Sequence, residues 1–138
     1  MNTYVYNSIT IIGPDDIITL LRDCRMHFRK VMPIPDGLRH MGRLEWCRRY
    51  WGTPHERRDY DPLPEFGDNL TFSCITQETP PLQLLEALCK TNATLWCKCI
   101  WHEEKSPSKE GIWVGYHENG AWINHACDWT KPNVFSPV

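Results

Sequence analysis

The chain has 138 residues, 41% of them hydrophobic and 23% charged, with a formal net charge of −2. That length suits one domain able to bury a core without metal or disulfide staples, and seven tryptophans argue against a disordered chain. No run of 18 apolar residues occurs, which excludes a membrane-spanning helix of the usual kind, and Met1-Asn2-Thr3-Tyr4 lacks the basic and apolar regions of an export signal, so a cytoplasmic location is expected.

Residues 4–12 are rich in β-branched and aromatic side chains and end at Gly13-Pro14, so they predict a strand. Pro14 followed by Asp15-Asp16 opens a helix with acids where the dipole favours them. Ile17, Leu20, Leu21, Cys24 and Phe28 repeat at helical spacing, so this helix should end near Phe28.

Pro33-Ile34-Pro35-Asp36-Gly37 is a turn, followed by a helix over about 40–51. On that helix Leu44, Cys47 and Trp51 share one stripe, Trp46 and Tyr50 lie four apart on the neighbouring face, and Glu45 can pair with Arg49. Gly52 suits its C-terminal cap. Residues 53–68 carry three prolines and many charges and read as loop.

Residues 69–76 alternate Leu70, Phe72 and Cys74 with Thr71 and Ser73, a strand pattern. Thr79-Pro80-Pro81 starts a helix whose apolar face is Leu82, Leu85, Leu88 and Cys89, running to about Thr91. A strand over 93–101 follows, then an exposed loop over 105–110. Strands over 112–118 and 121–125 flank Asn119-Gly120, a strong hairpin signal because both residues tolerate positive φ. The expected architecture is α+β: a split βαβ antiparallel sheet with helices on one face, an inserted helix and loop at about 31–68, and a C-terminal hairpin. It forms one domain over 1–130, with a tail at 131–138.

Several short motifs occur in a fixed order. They are Asn7, Ile9-Thr10 and Gly13; Pro33 and Pro35; Trp46 with Trp51-Gly52-Thr53; and Thr76 with Thr79-Pro80-Pro81. On these residues the chain resembles the YubB-type ferredoxin-like domain family, small proteins carried by bacteriophages and plasmids. The likeness spans roughly residues 1–115. It departs from the family pattern at Pro54-His55, where the family has Lys-Trp, and at Glu78, where the family has Trp. His55 and Glu78 are therefore candidates for a hydrogen-bonded pair. The resemblance implies a ferredoxin-like fold and an origin in a phage, prophage or plasmid acting in a bacterial host cell. It implies no reaction.

Charge is unevenly spread. Between Arg22 and Arg58 ten Arg or Lys stand against four Asp or Glu, a balance of +6, and the remainder carries −8. A patchy surface that meets an acidic partner follows.

The seven cysteines (Cys24, Cys47, Cys74, Cys89, Cys97, Cys99 and Cys127) are odd in number and mostly have apolar neighbours, which favours reduced, buried thiols. Cys97-x-Cys99 with His102, and His125-x-Cys127, supply soft metal ligands, but on a strand His102 points away from the two cysteines. Cys47 has Arg43, Arg48 and Arg49 near it in sequence, a setting that favours a thiolate. Its place on the Leu44/Trp51 stripe turns it towards the core instead. Adjacent carboxylates at Asp15-Asp16 and Glu103-Glu104 do not converge on one atom, and no Gly-rich phosphate loop occurs. The expectation is a non-enzymatic protein without cofactor or metal.

Two binding readings remain. Trp, Tyr and Arg are enriched at interface hot spots, and Arg43, Trp46, Arg48, Arg49, Tyr50, His55, Arg57 and Arg58 form the candidate surface for a protein partner of the host or mobile element. The alternative is single-stranded nucleic acid stacked on the strand aromatics Trp96, Trp101, Trp113, Tyr116 and Trp122.

Overall fold

The run Tyr4–Ile12 forms strand β1 with alternating burial: Val5, Asn7, Ile9 and Ile11 are buried, while Tyr6 and Ser8 are exposed. β-branched residues suit this pleated, half-buried setting. The structure, a computed structural model, describes residues 3–64, 68–105 and 109–128. The expected tail at 131–138 lies outside these residues, as does the middle of the expected loop over 105–110.

After β1 the chain forms α1 (Asp15–Asp23), α2 (Phe28–Val31), α3 (His40–Tyr50), β2 (Arg58–Pro62) and β3 (Asn69–Gln77). It continues through α4 (Leu82–Thr91), β4 (Trp96–Glu103), β5 (Glu110–Glu118) and β6 (Ala121–Asp128). This is a mixed α+β arrangement of four helices and one six-stranded antiparallel sheet, ordered β2-β3-β1-β4-β5-β6. No described helix is long and apolar enough to cross a membrane.

Register decides which side chains meet the helices. Ile9 lies opposite Phe72 of β3 and Cys99 of β4, and Cys99 lies opposite Trp113 of β5. This row packs with Ile18 and Leu21 of α1, Phe28 of α2, and Leu84 and Leu85 of α4. The intervening row, from Ser73 through Ser8 and Ile100 to Ile112, belongs to the opposite face of the sheet. Across Asn119-Gly120, Glu118 stands opposite Ala121, and both turn residues have positive φ (51° and 79°).

Three local expectations are corrected. The first helix stops at Asp23 rather than near Phe28, because Arg25 and Met26 adopt positive φ (53° and 50°) and Met26 N–H returns to the Leu21 carbonyl at 3.1 Å. That reversal swings Met26 and Phe28 fully into the core, burial large enough to offset the strain of two left-handed residues. The buried face of α1 is Ile18 and Leu21, and Leu20 turns out to solvent. Within the expected 53–68 loop, Arg58–Pro62 forms a short edge strand with a register shift between Arg58 and Asp61. Its charges and Pro62 blunt an exposed edge. On α4 the buried residues are Leu84, Leu85 and Cys89, with Leu82 and Leu88 half-buried.

Candidate functional site

Six of the motif residues, Asn7, Trp51, Gly52, Thr53, Thr76 and Thr79, converge on one buried seam. Trp51 is 1% exposed, sets its ring edge-on to Phe28 at 5.6 Å, and donates its indole N–H to the Met32 carbonyl at 3.0 Å. Gly52 follows with φ +89°, and its N–H bonds the Cys47 carbonyl at 3.1 Å, ending α3. A Cβ there would stand 3.1 Å from the Pro80 carbonyl and collide with Gln83. The Thr79 hydroxyl donates to the Gly52 carbonyl, and Thr53 donates to the Gln77 carbonyl at 2.8 Å. Thr76 donates to the Thr79 carbonyl at 2.8 Å and accepts from Asn7 Nδ2 at 3.0 Å. Asn7 also donates to the Cys74 carbonyl. Asn7, Gly52, Thr53, Thr76 and Thr79 thus form one hydrogen-bonded clasp between the end of α3, the β3–α4 turn and β1. All of its hydroxyls are spent on carbonyls, so its chemistry is structural.

The expected surface residues separate into three groups. On α3, Trp46 is half-buried, tilted over Tyr50 at 5.0 Å and edge-on to Trp51 at 6.0 Å. Tyr50 is 42% exposed, and the Arg49 guanidinium lies 5.6 Å from its ring centre rather than paired with Glu45. Leu38 and Met41, before and within α3, are also exposed. Arg48 makes two hydrogen bonds to Glu78, at 3.0 and 2.9 Å. Those bonds, more than the charge attraction alone, hold the Glu78 carboxyl below its ordinary range. Glu78 is therefore bonded to Arg48 and not to His55.

Arg57 and Arg58 lie elsewhere. Arg57 donates to the Arg25 carbonyl at 2.8 Å and sits 4.9 Å from the Tyr60 ring centre, which Arg25 approaches at 5.2 Å. Burial pushes the Tyr60 phenol up despite those two cations. Arg58 covers the Tyr4 ring at 5.5 Å. Arg43 and His55 form the third group: with Arg29 and His40 they line a cleft of about 170 Å³ against Cys47, Trp51 and Glu56. Glu56 caps α2, accepting from Phe28 N–H at 2.8 Å and Arg29 N–H at 3.1 Å. Sequence reading missed Arg29, His40, Glu56 and Tyr60. The i,i+3 spacing of His40 and Arg43 was a usable signal; Arg29 had none, because α2 was not expected as a separate element.

The thiols are not poised for attack. Burial pushes the Cys47 thiol up, outweighing Arg29 and Arg43, which act in the other direction. It pushes Cys74 up to about 12 and holds Cys99 well above the ordinary thiol value. Cys97 is raised first by its hydrogen bond with Cys89, whose sulfur lies 2.7 Å away. Among the described residues no three His, Cys, Asp or Glu side chains assemble as metal ligands. Of the strand aromatics, Trp101, Trp113 and Trp122 share the helix-side rows of the sheet, and Trp113 is 3% exposed. Trp96 and Tyr116 pair on the opposite face, which also carries Tyr6 stacked on His102 at 5.1 Å.

Compared with known proteins, the chain matches no protein-family model, no curated protein and no solved structure.

Proposed function

We propose that this chain is a non-enzymatic accessory protein of a phage, prophage or plasmid, a YubB-type ferredoxin-like domain that acts by binding a protein in the bacterial cytoplasm. The strand order β2-β3-β1-β4, with helices crossing between β1 and β2 and between β3 and β4, supports the ferredoxin-like reading. β5 and β6 then extend the sheet beyond that unit. The observation that carries the binding reading is the Trp46–Tyr50–Arg49 cluster on α3. An exposed Tyr and a stacked Arg without a carboxylate partner among the described residues form a pre-ordered anchor of the kind found at hot spots.

Charge complementarity sets the partner. Arg48 is already paired with Glu78 and Arg43 lines the separate cleft, so Arg49 over Tyr50 is the cation of this ridge that an acidic protein surface would meet. Capture from host lysate tests this: wild-type protein recovers a specific acidic partner that Trp46→Ala and Arg49→Ala/Tyr50→Ala variants lose. Equal recovery by all three, or no specific partner, overturns the reading.

The Tyr6–His102 stack favours a second reading, single-stranded nucleic acid on the sheet face away from the helices. It predicts salt-dependent binding of random oligonucleotides that Tyr6→Ala reduces. No binding at low salt removes it.

A further inference from the structure

The cleft between α2, α3 and residues 54–56 has an electrostatic character that the aromatic cluster on α3 does not share. Arg29 from α2, His40 and Arg43 from α3, and His55 from the following loop open onto one cavity of about 170 Å³. That space admits a small charged group at the mouth of the cleft. Among the described residues, none of these four side chains has a carboxylate within ion-pairing distance. The one acid on the wall, Glu56, is already engaged: its two oxygens accept from the backbone N–H groups of Phe28, Arg29 and Arg57 at 2.8, 3.1 and 3.1 Å. Two guanidinium groups on separate elements therefore share this space with a single carboxylate, Glu56, whose oxygens are taken up by backbone N–H groups rather than by either guanidinium.

From this arrangement we propose that the cleft is a binding site for a phosphoryl group carried by a small ligand. Each guanidinium offers a fork of N–H donors and each imidazole at least one ring donor or acceptor. A carboxylate is satisfied by one such fork. Donors from two separate helices exceed that need, and a phosphate monoester, with three terminal oxygens, can use more than one fork. The lining supports the same ligand: Cys47 and Trp51 are both buried, fixing the inner wall, while the four cationic or imidazole groups ring the mouth, where a charged ligand keeps part of its hydration. This site stands apart from the Trp46–Tyr50 surface and does not depend on its role.

Amide NMR shifts during titration with inorganic phosphate, and separately with phosphoserine, at constant ionic strength set by sodium chloride, test the proposal. Saturable shifts centred on residues 29, 40–43 and 55 are expected. Arg29→Gln and Arg43→Gln, both exposed positions that leave the core untouched, each weaken binding at least tenfold, while Arg49→Gln leaves it unchanged. Tighter binding of phosphoserine assigns the site to a phosphorylated metabolite or residue, and equal binding assigns it to free phosphate. Shifts that do not saturate, or that fall equally in Arg49→Gln, overturn the proposal and leave only diffuse charge attraction.

Discussion

Thr53 shows how little of a side chain's role is visible in its letter. It is fully buried, and its hydroxyl donates to the Gln77 carbonyl at the end of β3, which also accepts from the Thr79 N–H at 2.7 Å. Thr53→Val keeps the shape and removes one of the two donors to that carbonyl, so unfolding free energy falls by about 0.5–1.5 kcal/mol, read from the urea midpoint at unchanged slope. Glu78 supplies a second residue-scale test. Its folded pKa lies below the ordinary value because Arg48 bonds the carboxylate. The unfolded chain therefore takes up the proton first as pH falls. The stability this pair contributes is full at neutral pH and is lost as pH drops from about 4.3, the ordinary glutamate value, to the lower folded value. Glu78→Gln removes that part of the acid limb in pH-dependent unfolding. The partnership itself was hidden in the sequence, because Arg48 and Glu78 are thirty residues apart and His55 was the nearer suspect.

At the scale of elements, regular pattern was legible and tertiary override was not. α3 was expected over 40–51 and runs His40–Tyr50; β3 was expected over 69–76 and runs Asn69–Gln77. β3 carries uninterrupted alternation, and α3 has a clear stop signal at Gly52. The break after Asp23 escaped because Ile17 to Phe28 keeps helical spacing even though the backbone reverses at Arg25-Met26 to bury Met26. β2 escaped because a polar, proline-bearing edge strand has no apolar alternation to read. Gly52 links element to packing: Gly52→Ala meets both a left-handed backbone and the Pro80 carbonyl. A loss of about 1–3 kcal/mol in thermal or urea unfolding is expected, with native secondary structure retained.

For the whole molecule, the sheet divides the chain into a helix-covered face holding most of the cysteines and an opposite face with few of them. Native-state alkylation followed by peptide mass spectrometry reads that division. Cys24, half-exposed, labels readily, while Cys47, Cys74, Cys89, Cys97 and Cys99 label only on unfolding. The candidate surface was legible as a composition, an Arg- and aromatic-rich run, but not as a shape. Its eight residues divide among the α3 ridge, the Arg29–Arg43 cleft and the Tyr60 and Tyr4 contacts, because α2 and β2, neither expected, bring Arg29 to Arg43 and Tyr60 to Arg57. Five motif residues, Asn7, Gly52, Thr53, Thr76 and Thr79, form a clasp, while the motif residue Trp46 with Arg49 and Tyr50 is the part of α3 proposed to engage a partner.

That division of labour is tested most directly by partner capture from host lysate with two variants of measured stability side by side. Thr53→Val should lose stability yet, below its melting temperature, recover the same acidic partner. Arg49→Ala/Tyr50→Ala should keep its melting temperature within a few degrees and recover none. A folded Arg49→Ala/Tyr50→Ala protein that captures the partner as well as wild type would contradict the account.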